Sequence, residues 1–131
     1  MHDRQVNLVS SAGVSTGRLV GEYSGTDYTV RVRHGSTISE HKAWNLFEAL
    51  VKVRNDLELE GFKPAVEGAC RDVYPSRMGL DMGGGRRAYR WPLADQPTTV
   101  GIFDEVPISQ FNRLAYVDEQ RESVRKLKGL E

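Results

Sequence analysis

The sequence predicts a single α+β domain, residues 1–131, in which a mostly antiparallel sheet of five or six strands packs on one long amphipathic helix. Three observations lead to this fold class. Short runs rich in valine, threonine and tyrosine fill the first 34 residues, the apolar spacing then changes to steps of three and four, and extended patterns return after Gly61. A second helix is predicted near the C-terminal end. No linker or repeat indicates a domain boundary.

The first three strands are predicted at residues 6–9, 18–23 and 28–33. In the third run, apolar residues alternate with threonine and arginine, which is the pattern of a strand with one buried face and one solvent-exposed face. The clusters between the runs contain serine, glycine and aspartate, residue types that favour turns. We therefore expect three antiparallel strands joined by short turns.

The long helix is predicted at residues 40–60, because apolar residues recur there at three- and four-residue steps with polar residues on the opposite side. Ser36 or Ser39 is expected to cap its first turn, and Gly61 is expected to supply the left-handed residue that ends it. This start places His41 in the first turn of the helix.

After the long helix, a fourth strand is expected at residues 63–73, and a hairpin is expected from residues 86–91 and 98–103. The C-terminal helix is predicted at residues 117–128. Acidic residues in its first turn and basic residues in its last turn oppose the helix macrodipole in the stabilising sense. Residues 108–115 fit one helical face, and the sequence alone leaves open whether they form a separate helix.

Composition narrows the classes of function. Eighteen basic residues balance eighteen acidic ones, so no excess of positive charge favours dedicated nucleic-acid binding. No run approaches the roughly 18 apolar residues of a membrane-spanning helix, and the first residues do not resemble a signal peptide. A single cysteine cannot form an internal disulfide. We therefore expect a cytoplasmic protein. Trp44 and Trp91 are expected in the core or at its edge.

The segment at residues 74–85 fits no regular element and contains four glycines and two methionines. Loops of this length without structure of their own are uncommon in small domains and often carry function. Arginines outnumber acids around this loop, whereas acids outnumber arginines at residues 104–122. The candidate partner-binding residues in and beside the loop are Tyr74, Arg77, Met78, Asp81, Met82, Arg86 and Arg87.

Three interpretations of the loop remain open. In the first, glycine amides and arginine guanidiniums cradle an anion. In the second, the methionines and Tyr74 form an adaptable surface for a partner. In the third, the glycines only form a bend that lets the next strand enter the sheet. Residues 83–88 match a dinucleotide-binding pattern, but a strand rather than a helix follows them, which argues against a Rossmann site.

Other chemistry is sparse in the sequence. Cys70 would act as a nucleophile only if the fold brought His34 or His41 beside it, and a buried Cys70 is the simpler expectation. The three histidines show no metal-ligand spacing, so no metal and no cofactor is predicted. Glu67, Asp72 and Asp81 are the acids near the loop, and a hydrolase that uses two of them is a further alternative. An acid beside arginine more often forms an ion pair than acts in catalysis.

Three segments resemble stretches of small bacterial proteins, some of which are similar to immunity proteins of polymorphic toxin systems. These segments are residues 72–78, 81–89 and 117–121. The resemblance implies a cytosolic bacterial protein that works by binding, and it assigns no catalytic residue.

We therefore expect a non-enzymatic protein-binding module, an immunity or inhibitor protein that uses the loop at residues 74–87 or the acidic segment at 104–122. The alternative is a small-anion or nucleotide-binding enzyme, in which Arg77, Arg86 or Arg87 converges on a concave site within the same loop. Whether the chain is an enzyme is thus left open, with binding preferred. The expected partner is another protein rather than a nucleic acid or a membrane, and the sequence does not indicate the oligomeric state.

Overall fold

A computed structural model of the protein describes residues 2–129. Its larger sheet begins with four consecutive antiparallel strands, β1 (His2–Ser10), β2 (Gly13–Tyr23), β3 (Tyr28–His34) and β4 (Thr37–Ala43). A two-residue strand, β5 (Lys63–Pro64), pairs with the other side of β1, which gives the strand order β4-β3-β2-β1-β5. The three strands predicted early in the chain lie within β1, β2 and β3, and the α+β fold class is confirmed.

Strand β4 is the main departure from the predicted fold. The sequence predicts a helix from residue 40, whereas residues 37–43 pair with β3 along their whole length. The turn between β3 and β4 contains Gly35 at a φ of +55°, so a tight hairpin continues the run of strands and satisfies the backbone of residues 37–43. Ser36 and Ser39 therefore cap no helix, and His41 lies in a strand.

Helix α1 (Leu46–Leu59) packs on the core face of the larger sheet, mainly against β3 and β4. It begins after Asn45, whose side-chain oxygen accepts a hydrogen bond from the amide of Glu48 at 2.8 Å. Its end is predicted correctly, because Gly61 adopts the left-handed conformation with a φ of +79°.

The strand predicted at residues 63–73 is wrong over most of its length. Beyond β5, only β6 (Val73–Tyr74) at its far end is a strand, and a 3-10 helix, Glu67–Ala69, lies between the two. Gly68 is packed so tightly that an added Cβ would meet neighbouring atoms at 2.9 to 3.1 Å. The segment crosses the core instead of extending along a sheet, and this explains why its small and β-branched residues form no long strand.

A second, smaller sheet contains the predicted hairpin. Strands β6, β7 (Arg87–Arg90) and β8 (Thr99–Gly101) are antiparallel in the order β6-β7-β8. The pairing of the hairpin is confirmed, although its strands are shorter than predicted. Because these strands pair only with one another, residues 2–129 contain two sheets where the sequence predicts one.

The remaining elements are short helices. Helix α2 (Arg77–Met82) lies inside the segment that the sequence predicts to lack structure, and a 3-10 helix spans Ile108–Arg113. Helix α3 (Val117–Leu127) begins where the sequence predicts and ends one residue earlier. One apolar core joins residues of both sheets with α1 and the start of α3. Among residues 2–129, no helix combines the length and the apolar character needed to cross a bilayer.

Candidate functional site

Helix α2 presents two methionines to solvent. The Ser76 hydroxyl accepts a hydrogen bond from the amide of Gly79 at 2.9 Å, which caps the first turn of the helix. Leu80 packs against the core, whereas the exposed fractions of Met78 and Met82 are 70% and 82%. Residues four apart share one face of a helix, so both methionines point away from the side that Leu80 anchors.

The three glycines after α2 are used for packing and internal hydrogen bonds. The amides of Gly83 and Gly85 both donate to the carbonyl oxygen of Gly79, at 3.1 and 3.0 Å. The carbonyl oxygen of Gly84 accepts from the amide of Leu46 at 2.8 Å, at the N-terminus of α1. These bonds support the interpretation of the glycines as a structural bend, because two of the amides that an anion cradle needs are already engaged.

The arginines of the loop do not meet at one point. Arg86 donates to the carbonyl oxygen of Gly83 at 3.1 Å, and its guanidinium carbon lies 5.3 Å from the centre of the Tyr28 ring. Arg87 instead binds across β7 and β8, donating to the hydroxyl and carbonyl oxygens of Thr99 at 2.8 and 2.9 Å. Arg77 is exposed on α2. The convergence that the anion-binding enzyme requires is therefore not found among these three side chains.

A cleft of about 650 Å³ opens between α2 and the junction of β4 with α1. Leu80 and Asp81 of α2 lie on one wall, and Trp44 lies on the wall formed by the junction. The exposed fraction of Trp44 is 90%, so the prediction of a core tryptophan is wrong at this position. The physical reason is that Trp44 occupies the two-residue turn between β4 and α1, outside the buried faces of both elements.

The cleft contains more carboxylates than ammonium groups. Asp27, Glu48 and Asp81 line it, together with Lys42 and Lys52. The ammonium group of Lys52 donates to the carbonyl oxygen of Lys42 at 2.9 Å, which holds that charge against the β4 backbone. The polar lining of the cleft is thus net acidic beside an exposed aromatic ring.

The remaining candidate, Tyr74, lies at the second sheet beside Trp91. The Tyr74 ring packs edge-on against Phe47 of α1, with ring centroids 4.9 Å apart. Trp91 is partly buried and donates its indole N–H to the carbonyl oxygen of Tyr74 at 3.1 Å. Tyr74 therefore anchors the start of the loop to α1, and Trp91 lies at the core edge as the sequence predicts.

Cys70 is fully buried, as expected from the sequence. Burial raises the pKa of its thiol to about 12, so the reactive thiolate is scarce at neutral pH. The nucleophile that a cysteine hydrolase requires is therefore both inaccessible and protonated.

A serine, a histidine and an aspartate do meet between β4 and α1. The Ser39 hydroxyl and the His41 ring nitrogen Nε2 both contact the same oxygen of Asp56, at 2.6 and 2.7 Å. These two hydrogen bonds lower the pKa of Asp56. A hydrolytic triad places the histidine between the serine and the aspartate, whereas here the aspartate lies between the other two. The cluster therefore ties β4 to α1.

Glu67 and Asp72 form ion pairs with arginine, as the sequence suggests. Arg113 contacts both carboxylate oxygens of Glu67, at 2.8 and 3.2 Å, and one oxygen of Asp72 at 3.0 Å. Arg90 adds a contact to Glu67 at 3.2 Å. Burial raises the pKa of Glu67, but the hydrogen bonds and charge of Arg113, together with Arg90, outweigh this effect and lower it. These acids therefore hold the core-crossing segment in place.

No family model matches the chain, and no curated protein matches it. The resemblance to immunity proteins therefore stays a prediction.

Sequence reasoning missed Trp44 as a site residue. The signal that would have found it is Asn45, a favoured N-cap residue directly before an apolar periodic run. If Asn45 starts the helix, then Trp44 precedes the helix and lies in a turn.

Proposed function

We propose that this chain is a protein-binding module of the inhibitor or immunity class, which binds its partner through α2 and the adjoining cleft. The observation that carries this proposal is the exposure of Trp44 at the wall of that cleft. Tryptophan is enriched among the residues that dominate binding energy at protein interfaces, where such anchors fill or border pockets. Scattered single apolar residues need no explanation, but here a cleft separates Trp44 from a helix with two exposed methionines.

The side chains of α2, beside the cleft, indicate how the surface works. Methionine side chains are flexible and polarizable, so Met78 and Met82 adapt to the shape of a partner at low cost. Leu80 and the Ser76 cap fix the backbone of α2, so the adaptable side chains project from a positioned helix. A surface of this kind supports binding more readily than it supports catalysis, which needs rigidly placed groups.

The charge of the cleft indicates the chemistry of the partner. Three carboxylates against two lysines favour a partner segment with a lysine or arginine next to an apolar side chain. A cation of that segment is also attracted by the face of the Trp44 indole. We therefore propose a basic segment of another protein as the occupant.

The inhibitor or immunity class rests on the sequence resemblance. Two of the three resembling segments, residues 72–78 and 81–89, include the ends of α2 and the strands on either side of it. The resemblance thus covers the α2 side of the proposed binding surface, whereas Trp44 and its wall of the cleft lie outside it. An immunity protein acts by binding, so this class requires no catalytic group.

The test measures partner binding by the intact protein and by two matched variants. Affinity capture from the native host supplies candidate partners, with the product of the adjacent gene as the first candidate. Trp44→Ala is then compared with Leu59→Ala, since the exposed fraction of Leu59, at the far end of α1, is 88%. We expect Trp44→Ala to lose about 30-fold in affinity and Leu59→Ala to bind as the wild type does, with melting temperatures little changed. Equal binding by all three proteins would contradict the proposal.

A further inference from the structure

Three arginines lie on the face of the larger sheet that points away from α1. Leu19 and Val32 of β2 and β3 are buried in the core, so the residues next to them in sequence point to the opposite face. Arg18, Arg31 and Arg33 occupy these outward positions, and they line a hollow of about 200 Å³ with Asp3 and Val20. This hollow involves no residue of α2 or of the cleft beside it.

The strand register brings like charges together. Arg18 lies directly opposite Arg33 in the β2–β3 pair, and Arg31 lies opposite Val20. Like charges at directly opposed positions destabilise a sheet. Among the ion pairs of residues 2–129, none supplies a carboxylate to Arg33. The opposed pair of Arg18 and Arg33 therefore lowers the stability of the sheet when no anion is bound.

Two of these guanidiniums are held in position by hydrogen bonds to neighbouring carboxylates. Asp3 accepts from Nε of Arg18 at 2.6 Å, and Glu40 of β4 accepts from one Nη of Arg31 at 2.7 Å. A guanidinium has five N–H donors, so each arginine is fixed by one contact and keeps other donors for a ligand. Side chains that are positioned in advance lose less entropy when they bind.

We propose that this hollow binds a phosphate group. Three guanidiniums against the carboxylates of Asp3 and Glu40 leave one positive charge in excess, at Arg33. The three oxygens of a phosphate group can accept from more of the free N–H donors than a carboxylate can. Arginine matches phosphate oxygens with paired N–H donors. The volume lies below the roughly 300 to 1,000 Å³ of pockets that enclose whole drug-sized ligands, so the hollow recognises the group rather than a complete molecule around it.

The test titrates the full-length protein with inorganic phosphate at constant ionic strength, with chloride as the compensating anion. We expect a saturable rise in melting temperature for the wild type and an affinity at least about tenfold weaker for Arg33→Gln. Arg125→Gln is the matched control, because Arg125 is an equally charged, exposed residue on α3, outside the hollow. A parallel titration with phosphoserine distinguishes an organic phosphate from free phosphate, and tighter binding of either one supports the site.

Several outcomes would overturn the proposal: no saturable effect of either phosphate, an equal loss of affinity in Arg33→Gln and Arg125→Gln, or acetate binding as tightly as phosphate. Arg18→Gln is the second variant, so a folding defect in one protein does not remove the test. Without phosphate, Arg33→Gln should melt no lower than the wild type, because the substitution removes the repulsion with Arg18. A lower melting temperature would show that Arg33 has a structural role and would also overturn the proposal.

Discussion

The guanidinium of Arg54 in α1 donates to the side-chain oxygen of Gln120 in α3 at 2.7 Å, and both residues are buried. Arg54 also donates to the carbonyl oxygens of Gly68 and Ala115, and burial lowers its pKa to about 10. The Gln120 amide donates to three carbonyl oxygens of the core-crossing segment, including that of Gly68 at 2.8 Å. These side chains therefore satisfy backbone groups that the short strands on either side leave unpaired.

Replacing either member of this pair should destabilise the fold strongly. Gln120→Leu removes one acceptor from the buried Arg54 guanidinium and the side-chain donor to the carbonyl oxygens of Cys70 and Val73. We therefore expect a loss of about 3 kcal/mol in the free energy of unfolding. Arg54→Leu should lose a similar amount, and the double variant should lose less than the sum. Urea denaturation measures these values. The exposed Arg125→Leu on α3 is the control, with an expected change within about 0.5 kcal/mol. A Gln120→Leu protein as stable as this control would contradict the prediction.

The Glu67 ion pair should make stability depend on pH in the acid range. The folded-state pKa of Glu67 is lowered from its ordinary value of 4.5, so the ionised form stabilises the fold. This contribution is fully present above pH 4.5 and is lost as the pH falls through the lowered pKa. Glu67→Gln should therefore show a shallower acid loss of stability than the wild type, and at pH 7 it should already be about 3 kcal/mol less stable. Denaturation curves from pH 7 to about pH 3 measure both effects. Glu105→Gln, at an exposed carboxylate, should keep the wild-type slope.

Substitution of two glycines distinguishes the cost of backbone strain from the cost of close packing. Gly85 and Gly35 have similar left-handed φ angles of +69° and +55°. An added Cβ at Gly35 meets no atom within 4 Å, whereas at Gly85 it would lie 2.7 Å from the side-chain oxygen of Asn45. Gly35→Ala should therefore cost about 1 kcal/mol, and Gly85→Ala at least about 3 kcal/mol. Equal losses of unfolding free energy in the two variants would contradict this prediction. They would show that the segment around Gly85 moves away from Asn45 without an energetic cost.

The Cys70 thiol should resist modification in the folded protein. It is fully buried and its pKa is raised to about 12, so both access and ionisation disfavour attack on a disulfide reagent. We expect slow reaction at pH 8, rapid reaction in concentrated urea, and a faster reaction in Gln120→Leu because that variant opens more often. Rapid labelling of the native wild type would contradict the burial of this residue.

The sequence predicts an element well where its ends are determined by residues close in the chain. Gly61 marks the end of α1 because glycine favours the left-handed conformation, and the start of α3 is marked by the acids that follow it. The alternation of apolar and polar residues likewise identifies β3. The start of α1 was missed because Ala43 fits the three- and four-residue spacing of the apolar residues after it, and only pairing with β3 decides in favour of a strand.

Contacts between distant parts of the chain were beyond the reach of sequence patterns. Glu67 and Arg113 are 46 residues apart, and Arg54 and Gln120 are 66 apart, so no local spacing indicates that they meet. The choice of the loop as a site stays a prediction; the structure shows that it contains α2 and that its methionines are exposed. The Trp44 wall of the cleft beside α2 could not be predicted from the sequence, because the position of Trp44 depends on where β4 ends.

Strand β4 has a neighbour on one side only, because it lies at the edge of the larger sheet. An edge strand offers unpaired N–H and C=O groups as a template for strands from other molecules, which promotes aggregation. The charged side chains of Glu40 and Lys42 oppose such association, and the chain turns sharply into α1 after Ala43. Residues 40–43, which the sequence assigns to the long helix, thus form an edge strand. Their charged side chains oppose the addition of strands from other molecules to the sheet.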